Sequence, residues 1–187
     1  PPLPGKGGKD VFGRSIPAET GDLIPFASNL EGSEASPADS NVLVATEKGH
    51  PVIFERGVSV DPILHLTNVS LATGNIDFDG SVHVAEDVAD GLIIRASGDV
   101  VISGVVGKAT IIAGNSVVIQ QGLIGGVASE DEVQDKRYGA EVKAGGAVSA
   151  RFVTMATIQA ETDISISEYA LHSKLVANTR VLIGEKS

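Results

Sequence analysis

This sequence predicts an all-β chain. Residues 61–187 read as a single-stranded parallel β-helix, triangular in section and about seven turns tall, and residues 1–60 as a small β-rich module ahead of it. Three observations carry the prediction. A doublet of aliphatic residues recurs at Leu64/Leu66, Val82/Val84, Val100/Ile102, Val117/Ile119, Val148/Ala150, Ile164/Ile166 and Val181/Ile183, in steps of 18, 18, 17, 31, 16 and 17. A second doublet keeps the same beat at Ile76/Phe78, Ile94/Ala96, Ile111/Ala113, Val142/Ala144, Ile158/Ala160 and Leu175/Ala177. Between the two lie small or turn-prone residues: Ser97-Gly98-Asp99, Gly114-Asn115-Ser116, Gly145-Gly146-Ala147 and Asn178-Thr179.

Residues two apart in an extended strand share one side, so each doublet points both side chains inward. The Gly and Asn corners are expected to take the left-handed backbone that a sharp bend needs. A looser third position, at Val88, Val106, Ile124, Val153 and Leu171, completes a run at every sixth residue from Ile76 through Ile112, Val118 and Ile124. A lone turn leaves both of its edges open. Stacked turns pair each strand with its equivalent above and bury one continuous core.

Taken in order, residues 1–22 are rich in Gly, Pro and Lys and read as turn or linker. Gly5-Lys6-Gly7-Gly8-Lys9 lacks the spacing of a phosphate loop. Leu23–Phe26 is a short apolar segment and Asn29–Ser40 a polar loop. Asn41–Ala45 and Pro51–Glu55 read as two strands of a hairpin joined by Thr46–His50. Phe26, Phe54 and Phe78 are expected to cover the first end of the solenoid. The turns run regularly to Gly126. The step of 31 then implies one period plus an inserted, mostly acidic loop at about residues 127–140, which leaves the solenoid between two turns that stay in phase. The chain starts without Met and stops just after a rung, so further chain, a cap or a partner is expected beyond Ser187.

Composition narrows the function. The 187 residues carry a net charge of −10, 42% hydrophobic residues, 4% aromatics and no cysteine. Acidity argues against a nucleic-acid surface, which needs a basic stripe. The missing cysteine excludes disulfides and thiolate metal sites. No apolar run is long enough to span a bilayer and no signal-like start is present, so a cytoplasmic location without membrane insertion is expected.

Outward positions hold the remaining information. The middle residues of the doublets put Val101, Val118 and Ile112 outside on neighbouring turns, where a contiguous apolar strip would serve docking or self-assembly. Glu130, Asp131, Glu132, Lys136 and Arg137 of the insertion are the other protein-contact candidates, because solenoid insertions map to working surfaces. His65 and His83 stack on adjacent turns, an arrangement that could make a weak metal or phosphate site but reads first as an exposed ladder pair, and His50 and His172 stand in unrelated phases. Asp77 and Asp79 share one side of a strand, yet the corner residues Asp99, Ser116, Ala147, Asp163 and Arg180 form no acid cluster with a basic partner, as β-helix polysaccharide lyases require. The run of sixes invites comparison with hexapeptide-repeat acyltransferases, but the period slips and no histidine has a supporting constellation. No catalytic, cofactor-binding or metal-binding residue is expected.

Gly8–Pro17, Val60-Asp61-Pro62-Ile63-Leu64 and above all Thr73-Gly74-Asn75-Ile76-Asp77-Phe78-Asp79-Gly80 resemble the bacterial flagellar assembly protein A (FapA) family over nearly the whole chain. The rungs alone also fit bactofilin-like and MinC-like solenoids. The resemblance implies a right-handed β-helix, the hand also favoured generally, and a cytoplasmic, non-enzymatic scaffold tied to flagellar assembly at the cell pole. Its partners would be polar or flagellar assembly proteins, a regulatory signalling protein, or further copies of the chain. Glu161-Thr162 and Asn178-Thr179 depart from the family's Gly-rich corners. Two other readings stand beside it: a self-polymerising bactofilin-like structural protein, and a carbohydrate-active β-helix enzyme.

Overall fold

The computed structural model describes residues 5–19, 24–126 and 139–184. The chain divides into two compact units, Pro1–Glu47 with Pro51–Asp61, and Lys48–His50 with Pro62–Ser187.

Short hairpins make up the first unit. Strands β1 (Gly8–Lys9) and β2 (Ser15–Ile16) pair antiparallel. Asp10 holds the loop between them by accepting hydrogen bonds from the Phe12 and Arg14 amides at 2.9 and 2.7 Å. Strand β3 (Ser33–Ala35) pairs antiparallel with β4 (Leu43–Ala45). Asp39 organises that connection, accepting from both the Asn41 amide and its side chain at 2.9 Å. Strand β5 (His50–Phe54) pairs with β6 (Gly57–Asp61) across a two-residue turn.

The expected hairpin between residues 41–45 and 51–55 is therefore wrong: each strand pairs with a different partner. A two-residue turn is the favoured hairpin connection, and Glu55-Arg56 supplies one, whereas 46–50 would be a five-residue loop. Residues 29–40, read as loop, contain β3, and the linker at 1–22 contains β1 and β2. Among the described residues of this unit only Ser59 and Val60 are buried. Side-chain caps, more than a core, shape its turns.

The second unit is a parallel solenoid. One sheet has seven strands, β7 (Ile63–Leu66), β9 (Ser81–Val84), β11 (Val100–Ile102), β13 (Val117–Ile124), β15 (Val148–Thr154), β17 (Asp163–Leu171) and β19 (Arg180–Ile183). A second sheet has six, β8 (Ile76–Phe78), β10 (Ile93–Ala96), β12 (Thr110–Ala113), β14 (Ala140–Ala144), β16 (Ala156–Ala160) and β18 (Lys174–Ala177). The registers reproduce the doublets. Leu64 pairs with Val82, Val82 with Val100, Val100 with Val117, Val117 with Val148, Val148 with Ile164 and Ile164 with Val181. Side chains of both doublet columns fill the core through the middle tiers, with Leu64, Leu66, Ile76, Phe78, Leu175 and Ala177 partly buried against it near the ends. The step of 31 closes in register, so the insertion does not disturb the stack. At its neck, a Cβ on Gly139 would collide with the carbonyl oxygen of Gly125, so only glycine lets the two backbones pass so closely.

A third side is thinner, carried by single bridges Val69–Val88–Val106–Leu123 and then by the far ends of β13, β15 and β17. Here the expected column needs correction. Leu123 is buried and Ile124 is 42% exposed, while Ala170 pairs with Val153 and Leu171 is 51% exposed. The run of sixes loses one residue between Val106 and Ile111, so Ile112, Val118 and Ile124 fall on outward positions and Ile111, Val117 and Leu123 go in.

The corners also differ in cause. None of Gly98, Gly114, Gly145 or Gly146 has the left-handed backbone; they are glycine because stacked corners touch. A Cβ on Gly114 would meet the carbonyl oxygen of Ser97, and one on Gly145 that of Gly114. Amides ladder upward through this column, from Gly98 to the carbonyl of Gly80, Asn115 to Gly98, Gly146 to Asn115 and Thr162 to Gly146. Side chains extend the ladder: Ser81 Oγ accepts from the Asp99 amide, Asp99 Oδ1 from the Ser116 amide, and Ser116 Oγ from the Ala147 amide. Left-handed residues occur at a different corner, at Gly74, Gly91, Met155 and His172.

Candidate functional site

A parallel solenoid places equivalent residues of successive turns directly above one another, so its outer surface is a set of columns. On the seven-stranded sheet one column runs His65, His83, Val101, Val118, Ser149, Ser165 and Leu182. Val101 and Val118 are adjacent in register, and Val118 is 36% exposed. On the six-stranded sheet the column runs Asp77, Arg95, Ile112, Lys143, Gln159 and Val176. Ile112 thus lies on a different face from Val101 and Val118, between Arg95 and Lys143. The expected strip of three is a pair plus one isolated residue. The other contact candidates, Glu130, Asp131, Glu132, Lys136 and Arg137, lie outside the described residues.

The third side carries an apolar patch that the doublet pattern did not single out. Gly122, Phe152 and Tyr169 are in register on β13, β15 and β17. The rings of Phe152 and Tyr169 stack with centroids 5.5 Å apart and planes 20° apart. A Cβ on Gly122 would collide with the Phe152 ring, which therefore lies flat on the backbone of the turn below. Two residues on, Ile124, Thr154 and Leu171 form a parallel column. Arg151 closes one flank, its Nε 2.7 Å from Glu168 Oε1. The signal was present in the sequence: Phe152 and Tyr169 stand one period apart, but aromatic residues were not part of the aliphatic repeat.

Polar candidates resolve into structural roles. Asp79 accepts from Lys48 Nζ at 2.7 Å and from Ser97 Oγ at 2.8 Å. These bonds, Lys48 first, hold the Asp79 carboxyl below its usual range and raise the Lys48 ammonium. A carboxylate so held is a poor proton donor near neutral pH. Its contribution is present above the ordinary carboxylate range and is lost as pH falls through the lowered value; that of Lys48 is present below the ordinary lysine value and is lost as pH rises through the raised one. Asp77 sits in register with Arg95 on the outward column. Asp99 caps the next corner, and Arg180 Nε lies 3.3 Å from Asp163 Oδ1, an ion-pair contact without hydrogen-bond alignment to that oxygen. His65 and His83 meet edge to face with centroids 5.3 Å apart. Among the described residues no three His, Cys, Asp or Glu cluster as a metal site, and no helix is long and apolar enough to cross a membrane.

Comparison with known proteins gives two matches of consistent description. Residues 62–187 match the Flagellar Assembly Protein A beta solenoid domain, and residues 1–56 match the Flagellar Assembly Protein A N-terminal region. No curated protein and no solved structure matches the chain.

Proposed function

Because the chain belongs to the flagellar assembly protein A family, we propose that it serves flagellar assembly as a non-enzymatic scaffold, offering a stiff solenoid face to protein partners in the cytoplasm at the cell pole. The observation that carries this reading is the patch of Phe152, Tyr169, Ile124 and Leu171. Large side chains stand outward there on three consecutive rungs, with Tyr169 42% exposed. Ladder-fixed aromatic surface of this kind is typical of interface cores, since little side-chain entropy is lost on docking. The acidic insertion at Glu130, Asp131 and Glu132, with Lys136 and Arg137, is a second contact element under the same proposal.

The test is complementation of a strain lacking the protein. Tyr169→Lys combined with Leu171→Lys leaves expression and the β-type circular dichroism spectrum unchanged and is expected to reduce the fraction of flagellated cells to that of the deletion. Full restoration of flagella by this variant contradicts the assignment of the patch. Self-polymerisation is the second reading, favoured by the register-adjacent pair of half-buried Val101 and exposed Val118; it requires concentration-dependent sedimentation that Val101→Lys abolishes.

A further inference from the structure

We propose that the tip of the β1–β2 hairpin docks on an anionic lipid surface, with Val11 and Phe12 entering the interface and Lys6, Lys9 and Arg14 holding the head groups. The hairpin is short, but its tip is tied down. Asp10 accepts through Oδ1 from the Phe12 and Arg14 amides, its carbonyl accepts from the Gly13 amide at 3.0 Å, and its own amide donates to the Arg14 carbonyl at 2.9 Å. Gly13 closes the loop with a left-handed backbone, at φ 82°. On this frame Val11 is 96% and Phe12 81% exposed.

Exposure alone says little, since Leu71 and Ile53 also stand in water. Charge sets the tip apart. Residues 5–18 carry Lys6, Lys9 and Arg14 against Asp10 alone, a net charge of +2 in a chain whose total is −10. All three cations are exposed, while the Asp10 carboxylate is taken up by the amides of the tip. Leu71 by contrast lies between Ser70 and Ala72, and Ile53-Phe54 leads into Glu55. Apolar side chains flanked by cations suit an anionic bilayer, where apolar burial and attraction to the head groups add. The Arg14 guanidinium carbon lies 5.9 Å from the centre of the Phe12 ring. Its charge can therefore stay among the head groups while the ring goes deeper.

The backbone suits the same occupant. Water is scarce below the head groups, and an unpaired amide there is costly. The Phe12, Gly13 and Arg14 amides are already paired within the loop, so insertion strips little hydration from them. A pocket on an acidic protein would attract the same cations, yet it could bond those amides itself; their internal pairing favours lipid. The contact is peripheral, and a single hairpin gives weak, salt-sensitive binding.

The experiment mixes the full chain with vesicles of phosphatidylcholine, alone or with an equal share of phosphatidylglycerol, and reads binding by flotation. Binding to the phosphatidylglycerol vesicles is expected to be at least about tenfold tighter than to the neutral ones. Val11→Ser with Phe12→Ser keeps every charge, Lys9→Gln with Arg14→Gln keeps the apolar tip, and each pair is expected to weaken binding about fivefold or more. Ile53→Ser leaves it unchanged. Because the chain has no tryptophan, Phe12→Trp puts a single reporter at the tip; its emission shifts to the blue on phosphatidylglycerol vesicles, and that of Ile53→Trp does not. Circular dichroism checks that each variant keeps its β spectrum. The proposal is overturned by absence of binding to anionic vesicles, as a tip made for a protein pocket would show, or by unchanged binding in either double variant. A loss equalled by Ile53→Ser, or unshifted emission from Phe12→Trp, overturns it as well.

Discussion

Gly145 passes so close to the turn beneath it that a single added methyl would strike the carbonyl oxygen of Gly114. Its backbone is not left-handed, so the residue is glycine for lack of space. Gly145→Ala must push apart two backbones that are each pinned by ladder hydrogen bonds, and the expected loss is about 1–3 kcal/mol of unfolding free energy. Ser149→Ala, a few residues away on an outward column, is expected to change it by less than about 0.5 kcal/mol. Urea unfolding of both variants checks the pair. Equal effects would show that the corner is not tightly stacked. The same crowding accounts for Gly122, where the ring of Phe152 takes the space of a side chain.

At the scale of the strand, alternation decides which substitutions the fold tolerates. Val117 and Val118 are neighbours, yet the first is buried in the column shared with Val148 and the second faces out. Val148→Asp places a charge with no partner in that column, a cost beyond what one tier contributes, and is expected to abolish the cooperative thermal transition. Val118→Asp is expected to cost no more than about 1 kcal/mol. Loss of folding in both, or in neither, would contradict the inward and outward assignment. This alternation is why the doublets were legible in the sequence: a buried face demands an aliphatic residue at every second position, and seven rungs repeat the demand. Leu123-Ile124 was not legible in the same way. Both residues are aliphatic, and only the bridge from Val106 shows that Leu123 turns inward. The first unit was less legible still, because strands of two to five residues present no sustained period, and the turns of its first two hairpins are set by the side chains of Asp10 and Asp39. Of the candidate surfaces, the Val101–Val118 pair followed from the doublets, while the Phe152–Tyr169 stack required the register after Ala150, where the ladder shifts.

For the solenoid unit as a whole, stability is a sum over tiers and the contacts between them. Each tier presents the same doublets and the same corner to its neighbours, so tiers should be removable in whole units and not in fractions. The most direct measurement is therefore circular dichroism with urea unfolding of two deletions. Removing residues 100–116 takes out one full tier and joins Asp99 to Val117, keeping every remaining doublet in phase. Removing residues 100–107 takes out less chain but rotates the rest of the tier out of register. The account predicts that the longer deletion keeps the β spectrum and a cooperative transition at lower urea, while the shorter one loses both. A shorter deletion that folds as well as or better than the longer one would contradict the stacked-tier architecture itself.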